Sequence, residues 1–97
     1  MKLRIMRKQT DNDGVHLTVT GEMTVYSAVK LKDVLMRELA SCSGITLNLA
    51  GVHDADTSGF QLLVFLKNEA RRLGKNFKIS ELSDRFESIF SLYREKI

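Results

Sequence analysis

The chain lacks the residues that most often constrain a small protein covalently. Its 97 residues include no proline, no tryptophan and a single cysteine, Cys42. A lone cysteine excludes an internal disulfide and suits a reducing compartment. The absence of proline excludes proline kinks, cis-prolyl bonds and proline-rich linkers.

Long apolar runs are also missing. No stretch approaches the ~20 apolar residues that a membrane-spanning helix needs. Lysines and arginines interrupt the apolar residues of segment 1–8, whereas a secretory signal requires an uninterrupted apolar region. We therefore expect a cytoplasmic protein that does not insert into membranes.

The chain carries no strong excess of one charge. Its formal net charge is +3, and its basic residues are spread over segments 2–8, 67–78 and 94–96. This spacing predicts a solvated surface and no nucleic-acid partner. A 43% hydrophobic content over 97 residues fits one globular domain, residues 1–97, that is a monomer or a weak dimer.

Apolar residues at regular spacing predict the secondary structure. Period-two alternation predicts a strand over Leu3–Arg7 and another from Val15 to Thr20. The stretch Asp11–Gly14 predicts the turn that joins them, in which Asp13-Gly14 supplies the positive φ. Gly21–Thr24 ends the second strand, and Thr24 caps a helix with apolar residues at helical spacing.

The second half of the chain alternates strands and helices by the same criteria. The predicted elements are a strand over Ile45–Leu49, a loop, a helix from Ser58 to Leu73 closed by Gly74, a strand over Phe77–Ile79, and a last helix capped by Ser83. The order β-β-α-β-α-β-α predicts an α/β fold with a mixed four-stranded sheet, antiparallel in its first hairpin, and three or more helices packed against it.

The stretch from Asp54 to Phe60 places two hydroxyls and two carboxylates at the start of a long apolar helix. Such a hydroxyl can cap the helix or accept a phosphate. Ser58 with Gln61 matches a capping box, and Asp56 is an equally suitable cap. The sequence leaves both caps open.

A phosphate on Ser58 would lie near free helix N–H groups but beside Asp54 and Asp56. We expect it to leave the fold intact, to add a charge of about −2 and to block docking of a partner. Gly59 in the first turn allows close approach of a phosphate or of another backbone.

The helix after the motif is apolar nearly all round in its first turns. Phe60 and Val64 lie on a different side from the predicted core face, and Phe65 adds further apolar area. Either other helices cover this surface or a partner docks on it.

The run Asp56-Thr57-Ser58-Gly59, between an alternating strand and an apolar helix, resembles the signature of the STAS domain (sulphate transporter and anti-sigma factor antagonist). Gly21-Glu22 at the end of the second strand is also similar to the family. The resemblance extends from Val15 to about Tyr93.

The resemblance implies a non-enzymatic bacterial anti-sigma factor antagonist, a phosphoprotein that regulates transcription. Its partners would be an anti-sigma factor that is also a serine kinase, and a phosphatase. Carried onto this chain, the acceptor is Ser58, with Thr57 as the second candidate. The motif and partner-binding residues would be Asp54, Asp56, Thr57, Ser58, Gly59, Phe60, Val64, Glu22 and Thr24.

Two other interpretations start from the same residues. The segment Glu22–Ser27 is similar to family members in chemosensory or two-component systems, and other relatives serve lipid-transport ATP-binding complexes without a phosphorylation switch. An enzyme is the rival class, because Ser58, His53 and Asp54 are the residue types of a catalytic triad. The chain lacks the G-x-S-x-G pattern, phosphate-cradling glycine motifs and a usual metal-ligand set, so we expect no enzyme, no cofactor and no metal.

Overall fold

The computed structural model describes residues 3–93, apart from the side chains of Asp11 and Tyr93. The elements along the chain are β1 (Arg4–Gln9), β2 (Gly14–Met23), α1 (Val25–Ser41), β3 (Gly44–Ala55), α2 (Thr57–Leu73), β4 (Asn76–Leu82) and α3 (Asp84–Tyr93). A short 3₁₀ turn, Asp11–Asp13, joins the first two strands. The predicted order β-β-α-β-α-β-α is confirmed.

The four strands form one mixed sheet in the order β1-β2-β3-β4. β1 is antiparallel to β2, whereas β2–β3 and β3–β4 are parallel pairs. The sheet is therefore mixed, as predicted, and the parallel strands end on the same side. α1 and α2, which connect these strands, begin at that end.

One face of the sheet forms the core with the helices. Residues of β2 alternate strictly between buried and half-buried, with Leu17 and Val19 fully buried. Leu31 of α1, Leu63 of α2 and Phe86 of α3 are also fully buried. Burial of each such side chain contributes roughly 1.5–3 kcal/mol, so the apolar stripes of the helices are what hold them on the sheet.

All four strands extend beyond their predicted bounds. β1 continues to Gln9, and β4 covers Asn76–Leu82 where a strand over Phe77–Ile79 was predicted. β2 continues to Met23, so the prediction that the strand ends at Gly21 is wrong, and β3 continues to Ala55 instead of ending at Leu49. The part of β3 that was not predicted pairs with β2 through two shifts in register. Between Thr18 and Glu22 of β2, the paired segment of β3 contains two extra residues. Such bulges break the period-two pattern that identifies a strand in the sequence.

The predicted turn before β2 is present, but its positive φ angles lie partly elsewhere. Asn12 has φ 65° and Asp13 has φ 63°, while Gly14 has φ −89°. The prediction that Asp13-Gly14 supplies the positive φ is therefore confirmed for Asp13 and wrong for Gly14. Asn and Asp adopt this region more readily than other non-glycine residues, which makes the turn feasible.

The predicted ends of the later helices are confirmed. Gly74 closes α2 in the left-handed conformation, with φ 69°. The Ser83 hydroxyl oxygen accepts a hydrogen bond from the Phe86 N–H at 3.3 Å at the start of α3. Of the helices formed by residues 3–93, none combines the length and the apolar character needed to cross a bilayer.

Candidate functional site

Asp56 is the residue that caps α2. Its Oδ1 atom accepts a hydrogen bond from the Ser58 N–H at 2.9 Å, and the helix begins at Thr57. Of the two caps that the sequence left open, the structure selects Asp56. Ser58 lies inside the first turn, where its side chain is not needed for capping.

The same carboxylate also holds the start of α1. Asp56 Oδ2 accepts a hydrogen bond from the Val25 N–H at 3.2 Å. One negative charge thus lies between the N-termini of two helices, where both helix dipoles stabilise it. This contact places the first turn of α1 beside the first turn of α2.

The Ser58 side chain is half-buried, and none of residues 3–93 forms a hydrogen bond with its hydroxyl. Ser58 and Phe65 lie seven residues apart and therefore share one side of α2. The ammonium of Lys32 on α1 lies 4.5 Å from the centroid of the Phe65 ring. This side of α2 therefore faces α1.

The first turns of α1 expose three apolar side chains. Val25, Tyr26 and Val29 are 55%, 93% and 72% exposed, and we call them the α1 patch. The patch adjoins the Asp56 carboxylate through the Val25 amide. The resemblance to the family implied a partner surface that includes the first helix, but Val25, Tyr26 and Val29 were not predicted as site residues. A signal was present, since these residues lie off the face defined by Leu31 and Leu35.

Thr24 is the N-terminal cap of α1, as predicted, but its own hydroxyl does not make the capping bond. The Thr24 N–H donates to Ser27 Oγ at 3.1 Å, and that hydroxyl donates to the carbonyl of Glu22 at 2.9 Å. The Ser27 N–H bonds the Thr24 carbonyl instead of its hydroxyl, at 3.1 Å. Thr24 Oγ1 is buried without a hydrogen-bond partner in residues 3–93.

Gly59 is required for packing. A Cβ atom at this position would lie 2.5 Å from the carbonyl oxygen of Met23 and 3.2 Å from the Phe86 ring. The sequence allowed close approach of either a phosphate or another backbone to Gly59. The structure contains the second, because the backbone of Met23 contacts Gly59. The first turn of α2 can therefore contact the end of β2 only because residue 59 has no side chain.

Phe60 belongs to the core. It is 5% exposed, and its ring packs edge-to-face against Phe90 of α3, with centroids 5.1 Å apart. Val64 is half-buried against the same core. α3 thus covers Phe60, so the inclusion of Phe60 in an accessible partner-binding surface is not supported.

The remaining motif residues lie at the same end of the sheet. Asp54 and Thr57 are exposed, and Asp54 on β3 pairs in register with Glu22 on β2. Within residues 3–93, no group of three His, Cys, Asp or Glu side chains is placed to hold a metal ion. His53 is exposed on β3 and forms no hydrogen bond with the Ser58 hydroxyl.

Arg85 is a further contributor that the sequence analysis missed. Its Nε atom, on the first turn of α3, donates to the carbonyl of Ala55 at 2.9 Å. Ala55 immediately precedes Asp56, so this bond ties α3 to the residue before the cap. No sequence pattern indicated the contact, because the two residues are thirty positions apart.

Comparison with known proteins identifies the family. The STAS_2 family, described as "Mlab, STAS domain", matches residues 6–95. An anti-sigma-B factor antagonist of Bacillus subtilis (strain 168) is 26% identical over 92 residues, which cover 95% of this chain and 84% of that protein.

Two solved structures share the fold. An anti-sigma factor antagonist from Mycobacterium paratuberculosis superposes with a TM-score of 0.83 at 15% identity, covering 96% of this chain and 79% of that one. The Bacillus cell fate determinant SpoIIAA in its phosphorylated form gives 0.75 at 13% identity, covering 93% and 83%. The family match spans most of the chain and the fold agrees with it: the chain belongs to the STAS domain family.

Proposed function

We propose that this protein is an anti-sigma factor antagonist-like binding module that is switched by reversible phosphorylation of Ser58. The kinase would be a partner anti-sigma factor, and a phosphatase would restore the hydroxyl. The similarity to an anti-sigma-B factor antagonist and to a structure of phosphorylated SpoIIAA supports this class.

The observation that carries the proposal is the capping of α2 by Asp56. Because Asp56 satisfies the Ser58 N–H, the Ser58 hydroxyl is free for modification without loss of a structural hydrogen bond. Thr57, the second candidate, is more exposed but lies on another side of the helix. Ser58 shares its side with Phe65, next to α1.

Charge explains how the modification would act. A phosphoryl group adds a charge of about −1.5 to −2, and it would lie beside Asp56 and the α1 patch. A partner that buries Val25 and Val29 must remove water from this surface. A dianion at its border opposes that desolvation, so the phosphorylated form should lose the partner while the fold persists.

Intact mass spectrometry of the protein purified from its own host tests the acceptor. We expect a population heavier by one phosphate group in the unmodified sequence and in Thr57→Ala, and none in Ser58→Ala. Phosphate that survives in Ser58→Ala and disappears in Thr57→Ala would contradict the assignment.

Binding to the anti-sigma kinase tests the switch. Ser58→Asp should reduce the affinity at least tenfold, about 1.4 kcal/mol, and leave the circular dichroism spectrum unchanged. Ser58→Ala, the matched control, should bind like the unmodified protein. Equal affinities for both variants would refute a charge-operated switch.

The second candidate function is a constitutive subunit of a chemosensory, two-component or lipid-transport ATP-binding complex. The matching family is described as "Mlab, STAS domain". Because this description names no anti-sigma factor, the family match is consistent with this second candidate as well. The second candidate predicts phosphate-free protein in the host and a Ser58→Asp variant that still joins its assembly.

A further inference from the structure

Among residues 3–93, no strand pairs with the outer edge of β4. β4 lies at the end of the sheet and pairs only with β3 in the part of the chain that the structure describes. It is seven residues long, about 23 Å at 3.3 Å per residue. The unpaired N–H and C=O groups of such an edge are a template for another strand.

A cationic cavity lies beside the first half of β4. It has a volume of about 290 Å³ and is lined by Lys67, Ala70, Arg71, Lys75, Asn76 and Phe77. Three of these side chains are positively charged, and the described lining residues include no carboxylate. The Lys75 ammonium also donates to the carbonyl of Leu39 at the end of α1, which fixes its position.

An apolar and acidic cavity lies beside the second half of the strand. Its volume is about 410 Å³, and its lining residues are Ile79, Ser80, Glu81, Leu82, Glu87 and Phe90. Glu81 already accepts a hydrogen bond from the Asn48 amide at 2.7 Å, whereas Glu87 is exposed. The charge along the β4 edge thus changes from positive to negative between Asn76 and Leu82.

We propose that the β4 edge binds an extended segment of a partner protein by strand addition. The segment would carry an acidic residue at the end near Arg71 and a basic or apolar residue at the end near Glu87. Backbone hydrogen bonds to the edge supply affinity in this mode, and flanking cavities that receive alternate side chains supply specificity.

Charge complementarity selects this occupant over a nucleic acid. A polyanion would gain from Lys67 and Arg71 but would be repelled by Glu87 at the other end of the strand. The β4 edge is also separate from the phosphorylation site. Lys67 and Arg71 lie on the side of α2 opposite Ser58 and Phe65, so the two proposals stand independently.

Titration of the isotope-labelled protein with synthetic peptides tests the proposal. The probe is a short peptide of alternating valine and threonine with aspartates at one end and lysines at the other, and the control peptide replaces the aspartates by lysines. We expect the probe to shift and protect amides of Asn76–Leu82. The control peptide should bind at least tenfold more weakly.

Two protein variants provide a matched charge comparison. Arg71→Glu should weaken binding of the probe at least tenfold, whereas Lys30→Glu, an equal charge change at an exposed position on α1, should leave it unchanged. Both variants must first give the parent's dichroism spectrum, and Arg71→Ala replaces Arg71→Glu if that variant fails to fold.

Three outcomes would overturn the proposal. The first is that the amide resonances of β4 do not shift at millimolar concentrations of the probe peptide. The second is that Arg71→Glu and Lys30→Glu weaken binding of the probe equally. The third is that the β4 amides become protected when the protein concentration is raised without peptide. The last result would assign the edge to a second copy of this chain.

Discussion

At the scale of single residues, Asp56 contributes more to the fold than the serine that it supports. Asp56→Ala removes hydrogen bonds to Val25 and Ser58 and should lower the free energy of unfolding by about 1–2 kcal/mol. Ser58→Ala should change it by less than about 0.5 kcal/mol. Urea unfolding curves measure both values, and an equal loss in the two variants would contradict the assignment of the cap.

Asp56→Asn removes the charge of the cap and one of its two acceptors. The amide oxygen of asparagine can still accept from the Ser58 N–H and cap α2, but the amide nitrogen is a donor and cannot accept from the Val25 N–H. The lost interaction of the carboxylate with the two helix dipoles should cost about 0.3–1 kcal/mol at low salt. Because salt screens that interaction, the difference between Asp56→Asn and the parent should shrink in urea melts at high ionic strength.

Gly59→Ala tests the close contact between α2 and β2. The added methyl group would meet the Met23 carbonyl oxygen at 2.5 Å, and we expect a loss of about 1–3 kcal/mol in the free energy of unfolding. Gln61→Ala, at an exposed position in the same helix, is the control and should be nearly neutral. An unchanged denaturation midpoint for Gly59→Ala would show that the helix can shift without cost.

At the scale of elements, α3 depends on its cap. Ser83→Ala removes the bond to the Phe86 N–H at a buried position and should cost about 1 kcal/mol. Ser88→Ala on the same helix, where the exposed hydroxyl bonds the Asp84 carbonyl, should be nearly neutral. Thermal melts compare the two, and a larger effect at Ser88 would be inconsistent with the cap.

The surface ion pair between Glu69 and Arg72 on α2 makes a pH-dependent contribution to the free energy of unfolding. The hydrogen bond from Arg72 and its charge hold the pKa of Glu69 below its ordinary value of 4.5. The stabilisation is therefore present at neutral pH and is lost as the pH falls through the lowered pKa. Carbon-detected NMR titration should show the low value, and Arg72→Ala should return it towards 4.5.

At the scale of the whole molecule, the sequence predicted the order of elements and the mixed sheet, because each strand and helix carries its own apolar period. It missed the second half of β3, Ala50–Ala55, where two bulges opposite the Thr18–Glu22 segment of β2 interrupt the alternation. A bulge depends on the partner strand, so local pattern does not reveal it. The α1 patch was not predicted for a different reason. The exposure of Val25 and Tyr26 depends on how α1 packs against the rest of the fold.

At the candidate site too, local sequence patterns were predictive, whereas contacts between distant parts of the chain were not. The motif from Asp56 to Gly59 was readable from its residue types at a helix start. The choice of Asp56 as the cap, the contact of Gly59 with Met23 and the bond from Arg85 to Ala55 depend on tertiary packing. Sequence named candidate residues, and the structure distinguishes those that are buried in the fold from those that are accessible.

The bond between Asp56 and Val25 joins residues 31 positions apart. The juxtaposition of Ser58 and the α1 patch therefore arises only in a chain whose parallel strands have already assembled. Under the proposed function, a kinase that recognises both features would ignore nascent or damaged copies. A linear peptide covering the motif would be a poor substitute substrate, so phosphate incorporation would report the number of correctly folded molecules in the cell.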